Sequence, residues 1–278
     1  MGLKLAVLAV ALVAATPVSG GAAFLQTRQL SDGSFAERGQ PGYPQLTAWA
    51  TLGLAAAGTA PRARGLTIKY LSAEEAGMTS PTDLALLALA EQALGQSPDR
   101  LLARLRVLQR ADGSIGGLVN GTAWSVLAFR AGGSPAPART IRWLLARQTR
   151  AGGWSWSPHA AADSNDTAAV VQALRSANVT GRPISRALRF LLRYHNRDGG
   201  FELTDGRGSD AQSTAWAIQA FAAAHKSPPR GTLAYLRRLR RSDGSFRYSA
   251  RYVTTPVWVT AQILPALARK AFPLERPR

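Results

Sequence analysis

The chain of 278 residues contains no cysteine. That excludes disulfides, thiol nucleophiles and thiolate metal sites, and it leaves the redox compartment unmarked. Acidic residues are scarce: 16 Asp and Glu stand against 34 Lys and Arg, mostly Arg, for a formal charge of +18. A field of that sign attracts anionic partners such as lipid head groups or wall polymers. The arginines are spread along the chain and do not form one block, which describes solvated helix faces, and no nucleic-acid partner is expected. Nucleophile elbows of the Gly-x-Ser-x-Gly kind and phosphate loops are missing as well. Histidine occurs three times. His159 lies four residues before Asp163, but the segment between them reads as loop, so no metal site and no cofactor is expected.

Long apolar runs are also lacking. The longest, "LAVLAVALVAA" (5–15), is shorter than the ~20 residues a spanning helix needs. It follows a short basic start and precedes the small residues "TPVSGGAA" (16–23), the order found in a secretory signal. The expectation is a signal over 1–22, with an uncleaved anchor as the alternative. The mature chain is then secreted or extracytoplasmic, with its domain over 23–272 and a short tail at 273–278.

What is present is a repeat. "QLSDGSF" (29–35), "QRADGSI" (109–115), "QTRAGGW" (148–154), "HNRDGGF" (195–201) and "RRSDGSF" (240–246) share one pattern: a polar residue, three residues, Gly, one residue, a large apolar group. The glycines at 33, 113, 152, 199 and 244 step by 80, 39, 47 and 45. The first step spans two periods, so a degenerate unit lies near "YLSAEEAGM" (70–78), and the chain has six units. Before each turn comes an amphipathic segment. In "ISRALRFLLRYH" (184–195), Ile184, Ala187, Leu188, Leu191 and Leu192 share one helical face, and Arg186, Arg189 and Arg193 fall off it. After each turn comes a segment that is apolar nearly all round, such as "TAWATLGLAAAG" (47–58) or "TAWAIQAFAAAH" (214–225). Such helices are buried on every side. Six buried helices inside six amphipathic ones make an all-α, α6/α6 double ring. An open solenoid of helical hairpins is the competing arrangement.

The Gln-x-x-x-Gly-x-aromatic pattern resembles the QW repeat of the terpenoid cyclase and protein prenyltransferase superfamily. Gln148, Gly152 and Trp154 match it fully. Gln29/Gly33/Phe35 and Gln109/Gly113/Ile115 match with a substituted last residue, and His195 and Arg240 replace the Gln in the last two units. The resemblance covers essentially the whole mature chain and implies a toroid with a central cavity. It is specific for the fold and says little about activity. The zinc site of the protein prenyltransferases uses a Cys, which this chain lacks.

"DSNDTA" (163–168) is similar to the Asp-x-Asp-Asp-Thr-Ala motif of class II terpene cyclases, in which the middle Asp donates a proton. Here that position is Asn165. The same slot holds Gln45, Asn120 and Gln212 in other units, so an amide is what the repeat places there. Asp163 has a counterpart in Asp210, and residues of this type before a buried helix cap its unpaired N–H groups. The positive end of the helix dipole favours an ionised carboxylate, whereas a proton donor to an alkene needs a neutral one. Capping is therefore the leading reading, with Asp166, and behind it Asp163, as the catalytic candidates. Trp154, Trp156, His159, Asp210, Tyr248 and Tyr252 are the candidate ligand-binding residues. Trp49, Trp124, Trp216 and Trp258 recur within inner helices and read as fillers between them.

Three functions are open. One is a secreted, non-catalytic toroid that binds a small apolar, isoprenoid-like ligand or docks an envelope partner. Another is a class II terpene cyclase with a displaced acid. The last is a basic protein that adheres to an anionic envelope or membrane surface.

Overall fold

The computed structural model describes residues 16–274, so most of the expected signal, 1–15, and the end of the tail, 275–278, lie outside the described residues. Among those described, the chain is all helix apart from isolated bridges at its turns. The helices are α1 (Pro17–Gln26), α2 (Pro44–Ala56), α3 (Arg64–Glu74), α4 (Pro81–Ala93), α5 (Asp99–Val107), α6 (Val119–Ala131), α7 (Ala138–Ala146), α8 (Ser164–Ser176), α9 (Arg182–Leu192), α10 (Ala211–Ala223), α11 (Thr232–Arg238) and α12 (Pro256–Leu267). A 3-10 turn, Glu75–Gly77, follows α3 and marks the degenerate unit. None of the described helices is long and apolar enough to cross a membrane.

The even-numbered helices pack in sequence, α2 on α4 and so on to α12, and α12 packs back on α2. This closed inner ring rules out the open solenoid. The closing seam is tight: a Cβ on Gly53 of α2 would stand 2.8 Å from the Ala261 carbonyl of α12. The inner helices bury nearly every residue, as their uniform apolarity requires; in α2 all but three residues are buried. The odd-numbered helices form the outer ring with one buried stripe each. In α9 that stripe is Ile184, Ala187, Phe190 and Leu191.

The repeat motif explains the geometry. Each turn glycine has φ between +87° and +103°, a region costly for any residue with a Cβ. The glutamine stitches neighbouring outer helices. Gln148 Nε2 donates to Gly152 O and to Pro183 O at the start of α9, both at 2.8 Å. Gln29 reaches forward in the same way, accepting from Ala63 N and donating to Thr67 Oγ1. The Thr of each "TA" pair holds the turn from inside. Thr47, Thr122, Thr167, Thr214 and Thr260 accept the N–H of Phe35, Ile115, Trp154, Phe201 and Phe246 at 2.8–3.1 Å.

The arginines do more than solvate the surface. Arg186 donates to the carbonyls of Thr149 and Arg150, and Arg175 to those of Ala223 and Val179. Others cover aromatic faces, as Arg147 does over Trp143. Among the described residues Arg100 and Arg104 pair with a carboxylate, that of Glu75. Carbonyls neutralise no charge, so the exterior stays basic.

Two helices differ from the sequence reading. The outer helix α3 starts at Arg64, ahead of the degenerate stretch 70–78 that is the sequence's sign of this unit. The outer helix α1 occupies residues assigned to the signal: Thr16 caps it, accepting from Ser19 N at 3.1 Å, and Gly20, Gly21 and Ala22 are buried. A boundary after residue 22 falls inside this helix.

Candidate functional site

The inner helices all begin at one end of the ring, and there they surround a cup of about 280 Å³. Its wall has two tiers one helical turn apart. The upper tier is Gln45, Thr82, Asn120, Asn165, Gln212 and Trp258, one residue from each inner helix. The lower tier, four residues on, is Trp49, Leu86, Trp124, Trp216 and Gln262. On α8 the equivalent lower residue is the small Ala169. The acids that reach the cup are Asp83 and Asp166.

The floor is closed by aromatic rings. Trp49, Trp124 and Trp216 meet edge to face with centroids 5.3–6.0 Å apart, an arrangement favoured by the ring quadrupoles. These side chains fill the centre of the toroid, whereas the sequence reading had them between helices. Trp258 is out of register: it belongs to the upper tier, where it stacks on Tyr43, and Gln262 takes the lower place. Behind this floor stands Phe272, 5.9 Å from both Trp49 and Trp124. It comes from the segment after α12, which enters the ring from the opposite end. That end holds a wider chamber of about 1270 Å³, lined by inner-helix C-termini and by residues of the 269–274 segment. Among the described residues the aromatic rings therefore separate the cup from the chamber.

Within the cup, Asn120 Nδ2 donates to Asp166 Oδ1 at 2.6 Å, and Thr82 Oγ1 donates to Asn120 Oδ1 at 3.2 Å. Trp216 Nε1 donates weakly to Gln262 Oε1. Among the described residues, the amides of Gln45 and Gln212 have no hydrogen-bond partner, and the NH₂ groups of Asn165 and Gln262 are also unclaimed.

Asp163 caps α8, accepting from Asp166 N at 2.8 Å. Burial, with Asp166 beside it, pushes its carboxyl up to about 8. Desolvation and the like charge of Asp166 thus oppose the helix dipole, which favours the ionised form. Asp210 caps α10 by accepting from Ser213 N and Oγ, and burial raises its carboxyl too.

Of the residues named from the sequence as catalytic or ligand-binding candidates, only Asp166 lines the cup; the amide slot and the inner-helix tryptophans, read there as structural, supply most of its wall. Asp163 faces the turn, bridged to Trp154. Trp154 is fully buried, its indole N–H spent on Leu144 O at 2.7 Å, so it belongs to the scaffold. Trp156 and His159 are exposed on the loop before α8. Tyr248 and Tyr252 lie on the loop before α12, the latter exposed. These loops touch the rim through their backbones: Trp156 O accepts from Asn120 N, and Tyr248 O from Ala211 N. The missed cup residues include Thr82, Asp83, Leu86 and Gln262. The available signal was the amide slot itself, recurring where the helices converge.

No protein-family model matches the sequence, and no curated protein matches it. Solved structures do. A protein from Actinoplanes superposes with a TM-score of 0.68 at 20% identity, over 91% of this chain and 98% of that one. The type II terpene cyclase MstE from Scytonema gives 0.70 at 16% identity, over 91% and 96%. The fold is the α/α toroid of the terpene cyclases. An inactive variant of the α-1,6-mannanase GH76A from Salegentibacter sp. HEL1_6, in complex with α-1,6-mannotriose, shares the toroid at 0.63 and 10% identity, over 90% and 98%. At these identities the likeness concerns the toroid alone.

Proposed function

We propose that this protein is a non-catalytic, exported binding toroid whose cup takes the end of a hydroxyl-rich ligand, of the saccharide class. One observation carries the reading: unclaimed amide groups on Gln45, Asn165, Gln212 and Gln262 converge with Asp166 above a tryptophan floor. Amides and carboxylates offer donors and acceptors side by side, and flat indole rings supply an apolar platform. A wholly apolar, isoprenoid-like ligand would strip water from those amides and return no hydrogen bonds, at about 1–3 kcal/mol per group. The volume suits one small moiety, since pockets for whole drug-sized ligands run to roughly 300–1,000 Å³. The mannanase shows that a saccharide can be bound by a protein of this fold, an analogy at fold level. The basic exterior would hold the protein near anionic envelope polymers.

The test is calorimetric titration of the purified protein with a panel of mono- and oligosaccharides. Binding that weakens at least tenfold in Gln212→Ala and in Gln45→Ala is the expected result. A saturable isotherm indifferent to both variants, or none across the panel, overturns the reading.

A second reading, a class II cyclase with a displaced acid, is favoured by the neutral-leaning Asp163 beside Asp166. In that reading Asp163 supplies the proton and Asp166 passes it to the cup. Turnover of a polyprenyl substrate that is lost in Asp166→Asn would establish it in place of the first.

A further inference from the structure

The 269–274 segment behaves as an occupant of the ring and not as one of its walls. It follows the end of α12 and has no helix of its own. Arg269 and Lys270 are exposed, whereas Phe272 is 3% exposed and rests on Trp49 and Trp124. The Phe272 N–H donates to Gln172 Oε1 at 2.9 Å. Gln219 holds on α10 the place that Gln172 holds on α8, each five residues after the turn-binding Thr. Its Nε2 is buried without a partner. A buried donor left unpaired is costly, so the segment satisfies one of two equivalent amides and leaves the other orphaned.

We infer that residues 269–274 form a displaceable plug over an internal binding site, which takes a flat apolar molecule bearing one hydroxyl group. The indoles of Trp49 and Trp124 offer the ring a surface equivalent to the one Phe272 uses. A hydroxyl can donate to Gln172 Oε1 and accept from Gln219 Nε2 at once, which a backbone N–H cannot do. The ligand enters from the wide chamber opposite the cup and shifts the population in which the segment is out. This site lies on the far side of the tryptophan floor from the cup; the two share Trp49 and Trp124, but the ligand proposed here enters from the opposite end and does not require the cup to be filled.

The test uses the full-length protein, 2-naphthol as probe, naphthalene as the matched molecule without a hydroxyl, and limited trypsin digestion. Arg269 and Lys270 are exposed while the segment is seated, but trypsin must also draw in the residues that follow, which Phe272 anchors, so cleavage there speeds up when the segment is displaced. Saturating 2-naphthol is expected to accelerate loss of the C-terminal peptide about tenfold while circular dichroism and the remaining chain stay intact. Naphthalene should do so by less than half as much. Gln172→Leu should raise the basal cleavage rate and remove the advantage of the hydroxyl. If 2-naphthol leaves the rate unchanged, or if cleavage tracks global unfolding, the inference is overturned. The wild-type measurement decides even if the variant fails to fold.

Discussion

The Glu37 carboxylate accepts the N–H groups of Val257 and Trp258 at 3.0–3.1 Å, across 220 residues of chain. Glu37 stands two residues after the turn apolar Phe35, and Val257 and Trp258 open α12. Elsewhere the same relation runs through backbone: Leu203 O, two after Phe201, accepts from Ser164 N at the start of α8. The turns at Trp154, Phe201 and Phe246 thus each cover the N-terminus of the preceding inner helix through a backbone carbonyl two residues on. In the first unit, whose predecessor is the last, a side chain does the work and closes the cycle.

The consequence is testable. Glu37→Ala strips an anionic acceptor from two helix N-terminal donors, so it should destabilise the fold by about 1.5–3 kcal/mol, or several degrees in Tm. Glu37→Gln keeps one oxygen and should cost less. Thermal unfolding by circular dichroism ranks the three proteins, and equal Tm values would show that the closure does not depend on this cap.

The turn glycines separate two costs. Gly152 and Gly206 both have positive φ, but a Cβ on Gly152 would lie 2.7 Å from Arg186 O, whereas one on Gly206 meets nothing within 4 Å. Gly206→Ala should therefore cost only the backbone penalty, about 1 kcal/mol. Gly152→Ala must also push α9 away and should cost at least twice that, measured as the difference in denaturation free energy.

Most of the architecture was readable in the sequence because the repeat writes it five times. The turn glycine, the "TA" threonine and the all-apolar helices each have one structural solution, and six such units close into a ring. What was hidden had no repeat to carry it. The outer helix α3 lacks the motif after it, and α1 shares small apolar residues with a signal's cleavage region. Phe272 lies beyond the last unit, so nothing in the spacing announced that it would reach Trp49 and Trp124. The site itself was half visible. The amides at 45, 120, 165 and 212 recur as a slot, but convergence of six helices, not any local pattern, turns a slot into a cup.

The position of α1 limits where a signal could be removed. Thr16 caps the helix, Phe24 and Leu25 are buried, and α1 packs on α12 and α2. Cleavage after residue 22 would remove the cap and the first half of an outer helix. If the protein is exported and cleaved as proposed, intact mass measurement should place its N-terminus at or before Thr16. A start at Ala23 would mean that the ring closes without half of α1.

The last prediction concerns Asp163, whose carboxyl is pushed up to about 8 by burial and by Asp166. In the unfolded chain the group titrates at an ordinary value near 3.9. Between these values the folded protein holds a proton that the unfolded chain has released, so stability falls as pH rises from about 4 to about 8. The direction is opposite to that of a paired carboxylate. Asn at this position imitates the protonated acid: it keeps the oxygen that accepts from Asp166 N and has an N–H to offer the Asp166 carboxyl. Asp163→Asn should therefore raise Tm at pH 8 and change it much less at pH 5. Unfolding curves for both proteins across that range isolate the contribution, because Glu91, raised to about 7 by burial, is common to both. A constant gap between the two curves would mean that Asp163 is ionised throughout, and the second reading would lose its proton.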